Sequence, residues 1–203
     1  MKKYGSICFF LLSVIGFPAQ AEYYQIDTEG SHAFIEFRIQ HLGFSWMSGR
    51  FNTFKGNYSY DENNPSTAQV EVEIDVASID SNHAERDKHL RGDKFLDADA
   101  FPKASFKSTA FEQAEDGTAV LTGDFTLHGV TKQIEIAVNP VGQGLDPWGG
   151  YRRGFVGTTQ FTIADYGINV AKLGPSSQVI FLTLSIEGIR RSATDSPEGE
   201  KPF

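Results

Sequence analysis

Along most of this chain, apolar and polar residues alternate with a period of two. Ile35, Phe37 and Ile39 interleave with Glu36, Arg38 and Gln40, and Val70, Val72, Ile74 and Val76 with Gln69, Glu71, Glu73 and Asp75. Leu121, Phe125 and Leu127 interleave with Thr122, Asp124 and Thr126, and Ile180, Leu182, Leu184 and Ile186 with Thr183, Ser185 and Glu187. Successive side chains of a strand point to opposite faces, so each run reads as a strand with one apolar face and one wet face. Nine such strands are expected, over residues 23–27, 31–41, 49–60, 68–77, 104–111, 120–127, 131–138, 154–163 and 178–188. Turn-forming residues punctuate them: Asp61-Glu62-Asn63-Asn64-Pro65, Glu115-Asp116-Gly117 and His128-Gly129. Strands that follow one another this closely predict an all-β fold, an antiparallel up-and-down β-barrel.

The period changes at Asn82. Residues 82–102 carry dense charges of both signs and read as a short helical lid over the barrel. Asn82 and Glu85 have capping-box spacing, Asp87 and Arg91 stand one turn apart as an ion pair, and Gly92 is placed to end the helix. Asp93 can cap a second short turn that carries Phe95 and Leu96.

A small barrel either fills its lumen with side chains or keeps a cavity for one ligand, and alternation does not distinguish the two. Strand length favours the cavity, because runs of about ten residues reach roughly 33 Å. The inward set is aliphatic and aromatic, in a chain with 17 Phe. By parity, Phe37, Ile39, Val72, Phe106, Phe125, Leu127, Leu182 and Leu184 are expected to form the wall. His41 shares the parity of Phe37 and Ile39, and with Arg91 and Trp148 it is assigned to the mouth. Trp46 and Trp148 lie in Gly-flanked segments, and each reads first as a plug at one end of the barrel.

The first residues change the picture of where the protein works. Two lysines, an apolar run over residues 7–17 and Ala19-Gln20-Ala21 form the pattern of a cleaved secretory signal, residues 1–21. The mature domain is then 22–190, and the polar, Pro-containing stretch 191–203 reads as a disordered tail. Cleavage removes Cys8, the one cysteine, which excludes disulfides, thiol nucleophiles and cysteine metal sites. It also removes Lys2 and Lys3, leaving 16 of 18 basic residues against 26 acidic ones and a formal charge of −10. Such a chain is a poor partner for nucleic acid, and the expected location is a bacterial periplasm.

Catalytic motifs are absent. There is no G-x-S-x-G turn, phosphate loop or dinucleotide fingerprint, and the Gly-rich stretch 142–154 reads as a loop joining two strands. His83, Glu85, Asp87 and His89 invite a metal reading, but on a helix they divide between two faces and no face offers three ligands. No cofactor is called for.

Six ordered motifs carry a resemblance. HLGFSW with GRF (41–46, 49–51), NHAERDKHLRGDKF (82–95), FPKASF (101–106), TGDFTLHGVTK (122–132), DPWGG with RRGF (146–150, 152–155) and LGPSSQ (173–178) together resemble the YceI family, and most closely its exported enterobacterial members. The resemblance implies a lipocalin-like periplasmic barrel whose elongated pocket holds a polyisoprenoid, a quinone-like molecule or a similar long-chain lipid. It implies no catalytic residue. The chain departs from the pattern at Ala164, where many members carry a basic or amide side chain. A transient membrane contact and a homodimer stay open as further associations.

Overall fold

The computed structural model describes residues 21–192; the expected signal segment through Gln20 and the tail from residue 193 lie outside the described residues. Among the described residues there are eleven strands: β1 (Glu22–Ile26), β2 (Phe34–His41), β3 (Ser45–Phe51), β4 (Phe54–Tyr60), β5 (Gln69–Asp75), β6 (Ile79–Asp80), β7 (Lys103–Gln113), β8 (Ala119–Leu127), β9 (Val130–Leu145), β10 (Tyr151–Thr162) and β11 (Val179–Arg191). They make eight staves, because three staves are interrupted. β1 and β2 both pair with β11, at Tyr23↔Arg191 through Ile26↔Gly188 and at Phe34↔Ser185 through Arg38↔Phe181. β3 and β4 continue one another beside them, and β5 continues into β6. Every neighbouring pair is antiparallel, and β11 returns to β1 to close the barrel. Closure leaves no continuous free edge for another chain to pair with.

The expected strand over 49–60 is one stave, but the ladder breaks at Asn52 and Thr53, whose backbone N–H groups donate to Ser78. The expected loop over 142–154 shrinks to Asp146–Gly150, since β9 and β10 run on as a long hairpin. Glycines hid this, because Gly142, Gly144 and Gly154 offer no side chain to alternate. β11 extends through Arg190 and Arg191, so the assigned tail begins inside a strand. The His128-Gly129 turn is present, with both residues at positive φ (51° and 73°), as a tight hairpin between right-twisted strands requires.

The lid is a single helix, α1 (Ala84–Arg91), ending at Gly92. Its cap differs from the expectation: His83 occupies the N-cap and its Nδ1 accepts from the Arg86 N–H at 3.2 Å, while Asn82 sits at φ 60°. Asp87 does not turn outward to Arg91. It is buried and accepts from both the backbone N–H (2.8 Å) and the hydroxyl of Ser81. That inward turn ties α1 to the end of β6.

Candidate functional site

Inward parity produces an apolar lumen in two chambers, each of about 120 Å³. The upper chamber is lined by Val72, Phe106, Phe111, Leu121, Ile136, Phe155, Leu184 and their neighbours. The lower one is lined by Phe37, Ile39, Met47, Leu127, Ile168, Leu182 and, from the lid, Arg86 and Leu90. Ile74 and Phe125 border both and form the neck between them. Phe125 is held there by a tilted contact with Phe161 and an edge-on contact with Tyr166, at centroid distances of 5.4 and 5.5 Å.

Three glycines make room for rings inside the wall. A Cβ on Gly49 would stand 2.4 Å from Phe37 Cζ, one on Gly123 would stand 2.4 Å from Phe106 Cζ, and one on Gly188 would stand 2.5 Å from the Tyr58 ring. All three aromatic side chains therefore lie across bare backbone rather than against a neighbouring side chain.

All eight residues assigned to the wall border a chamber: Val72, Phe106 and Leu184 the upper, Phe37, Ile39, Leu127 and Leu182 the lower, and Phe125 both. The three assigned to the mouth do not come together. His41 and Arg91 lie at the lid end, Trp148 on the β9–β10 hairpin at the other end, and none borders a chamber. The tryptophans are not plugs. Trp46 points to the outer face, where it meets Phe181 edge-on at 5.4 Å beneath the Arg38 guanidinium (4.7 Å), and Trp148 is 79% exposed. Parity explains this, since Met47 faces inward and its neighbour must face out.

The residues that sequence reasoning missed close the upper end. Tyr24 and Tyr58 stack with centroids 4.8 Å apart, and the Tyr58 hydroxyl donates to the Arg153 carbonyl at 2.7 Å. The Tyr60 hydroxyl donates to Gln113 at 2.8 Å. Arg153 is 5% exposed, with its guanidinium 4.3 Å from the centre of the Tyr60 ring and an ion pair to Glu62. Burial, followed by the hydrogen bond to Glu22, pushes the Tyr24 hydroxyl up to about 12. The signal for Arg153 was available: Phe155 and Gly157 face the chamber, and Arg153 shares their parity. Starting the strand at Gly154 left it one residue outside.

On the outside, Arg152 binds three carboxylates: Asp27 at 2.6 Å, Asp146 at 2.7 Å and Glu187 at 2.5 Å. Burial alone would raise the Asp27 carboxyl, but hydrogen bonds from His32, Arg152 and the Gly30 N–H bring it down to about 2. Asp27, His32 and Glu187 are close enough to hold a metal ion. Arg152 already occupies two of those carboxylates, so the cluster is an ion-pair network joining the β1–β2 loop to the β9–β10 hairpin.

The geometry thus combines a closed apolar lumen, a charged helix over one end and an arginine–tyrosine cluster at the other. Comparison with known proteins agrees. The sequence model of the YceI-like domain matches residues 24–188. UPF0312 proteins are close relatives: one from Shewanella sp. (strain MR-4) is 52% identical over 173 residues, 85% of this chain and 90% of that one. Another, from Pseudomonas aeruginosa (strain LESB58), is 53% identical over the same shares. Among solved structures, Burkholderia cenocepacia BcnA matches with a TM-score of 0.70 at 18% identity, over 80% of this chain and 98% of that one. The Campylobacter jejuni YCEI protein matches at 0.66 and 22% identity, over 95% and 100%. A polyisoprenoid binding domain from Saccharophagus degradans matches at 0.61 and 15%, over 85% and 100%. Identities this low show a shared fold, and the domain match with the close relatives decides the family: the chain belongs to the YceI-like domain family.

Proposed function

We propose that this protein is a periplasmic, non-enzymatic carrier that holds a polyisoprenoid or quinone-like long-chain amphiphile in its lumen. The observation that carries this reading is the lumen itself, two apolar chambers in line, meeting at a neck of Ile74 and Phe125. The polyisoprenoid-binding structural neighbour and the signal-like N-terminus support it.

Size adds a mechanistic condition. A cavity of roughly 150 Å³ takes up one benzene in a protein core, so a chamber of about 120 Å³ takes about one five-carbon unit. A long chain is accommodated when the neck side chains turn aside and the chambers join. Burying each methylene gains about 0.8 kcal/mol against water. The source of such a lipid is a membrane, however, and transfer from lipid to an apolar lumen changes little hydrophobic energy. Near balance suits a carrier that must both load and release, and polar contacts at one end then set selectivity.

A lipid-modifying enzyme built on the lid finds no support in the geometry, where His83 is spent on the helix cap and Asp87 on Ser81. The test is to purify the protein from periplasm, extract it with organic solvent and identify lipids by mass spectrometry beside a Phe125→Asp control. A stoichiometric isoprenoid in the unmodified protein alone is the expected result. A lipid-free extract from both, with no uptake of added prenyl lipid, would overturn the proposal.

A further inference from the structure

The wall of the barrel is not sealed equally all round. β9 and β10 are matched from Tyr151↔Leu145 to Thr158↔Ala137, and there their ladder ends. Past that point β9 is matched to β8 as far as Val130 and β10 to β11 as far as Thr162, with no pair between β9 and β10 themselves among the described residues. One side-chain bond crosses just beyond the last pair, from the Thr159 hydroxyl to the Glu135 carbonyl at 2.6 Å. The resulting seam is about five residues long, roughly 17 Å.

Seen from outside, the seam is an open groove of about 710 Å³. Its rim is polar and exposed, with Lys132 and Glu135 on one side and Gln160 and Asp165 on the other. Its floor is apolar and reaches through the wall. Ile134 borders both the groove and the upper chamber, and Phe161 both the groove and the lower one. At each of these points one side chain separates the outside from the lumen.

Tyr166, from the short turn Ile163–Tyr166 that follows β10, plugs the seam. Its ring meets Phe125 and Phe161 edge-on, at 5.5 and 5.1 Å. It is 1% exposed, yet its hydroxyl is buried with no hydrogen-bond partner among the described residues. His128 Nδ1 anchors the backbone by donating to the Tyr166 carbonyl at 3.1 Å. A ring on an anchored backbone, with a hydroxyl that has no bond to lose, gains a partner in water by turning outward.

We propose that the long-chain ligand enters and leaves the lumen sideways, through the seam between β9 and β10, and that Tyr166 is the gate. The inference rests on the isoprenoid reading above. Opening the lid end would break the bonds of Asp87 and Arg86 to Ser81. Opening the other end would break the hydroxyl bonds of Tyr58 and Tyr60 and the pair of Arg153 with Glu62. Opening the seam breaks no ladder and one side-chain bond, that of Thr159. When Tyr166 turns out it also releases Phe125, so the step that opens the wall frees the neck and joins the chambers. A polar rim over an apolar floor lets a chain be laid in along its length, each segment leaving water as it reaches Ile134 and Phe161.

The experiment follows anthraniloyl-geranylgeraniol, a fluorescent prenyl probe, by stopped flow, and reads its association and dissociation rates with the purified full-length mature protein. Continuing the register sets Glu135 opposite Gln160, so Glu135→Cys with Gln160→Cys ties the seam by a disulfide in a domain that has no other cysteine. Oxidation of this variant is expected to slow both rates by about tenfold or more while the affinity stays within about twofold, and reduction should restore them. The reduced form of the same protein is the control for folding. Gln160→Cys carrying a maleimide-linked polyethylene glycol is a second obstruction and should slow both rates in the same way. Tyr166→Leu should raise both, and Asp87→Ala, which loosens the lid, should leave both unchanged. Rates that survive both obstructions would overturn the side route, and acceleration by Asp87→Ala would do so by placing entry at the lid; either result leaves the carrier reading standing. Unchanged rates in Tyr166→Leu would overturn its role as the gate. Failure of the unmodified protein to take up the probe would overturn the route and the carrier reading together.

Discussion

Asp87 at one end of this barrel and Arg153 at the other are both buried charges, and the two are treated differently. At the lid end, Asp87 is enclosed and satisfied locally, by the N–H and hydroxyl of Ser81 only six residues away. At the other end, Arg153 is enclosed to the same degree, yet its partners are Tyr24 and, from a distant loop, Glu62, and its Nε finds no acceptor among the described residues. A charge satisfied by its own neighbourhood serves the fold, holding α1 to β6. The lid end is thus held by a contact within its own segment, and the arginine end by one that spans the chain.

Several experiments would break or sharpen that contrast. The largest effect is expected at the neck that joins the two ends. Phe125→Asp places a carboxylate among Ile74, Phe161 and Tyr166, and should abolish lipid retention and lower stability by about 4 kcal/mol or more. Glu73→Gln, at an outer-face pair with Lys103 (2.9 Å), should leave retention unchanged; loss in both variants would remove the distinction between wall and surface.

Asp87→Ala comes next. It leaves the Ser81 N–H without its acceptor and should cost about 1–3 kcal/mol in denaturant unfolding. Arg153→Met should change stability by less than about 1 kcal/mol, since the carboxylate it leaves behind, Glu62, is 58% exposed and keeps its water. If Arg153→Met proved the more damaging of the two, the arginine end would be the structural one and the contrast would be reversed.

A pH titration probes the outer network that braces the arginine end. The folded Asp27 carboxyl lies at about 2, below its ordinary 3.8, so its stabilisation is complete above pH 4 and is lost as the pH falls through 2. The shift corresponds to at most about 2.5 kcal/mol. Thermal midpoints of the unmodified protein and Asp27→Asn should therefore differ most near pH 5 and converge toward pH 2. A constant gap across that range would show that Asp27 acts through packing rather than charge.

Much of the fold was legible because parity is a local property. Glu36, Arg38, Glu71 and Glu73 mark the outer face, so Phe37 and Val72 follow as inner ones without any knowledge of neighbouring strands. Where charges do not alternate, the faces could not be read: Tyr58 and Tyr60 sit in a correctly placed stave, yet Lys55, Gly56 and Asn57 give no pattern. Trp46 and Trp148 were misplaced because flanking glycine suggests burial at a turn, whereas one tops a hairpin and the other packs on an outer face.

The chain by itself determined that successive staves are antiparallel neighbours, the inner and outer faces and the apolar character of the lumen, because each depends on a period of two and on short connections; the nine expected strands make eight staves because β1 and β2 share one beside β11. Tertiary structure alone decided where the lumen narrows, which of two consecutive arginines is buried, and whether its partner is a neighbour or a distant loop. Those outcomes depend on ring positions across the barrel and on pairs such as Glu62 and Arg153, 91 residues apart, which no local pattern encodes.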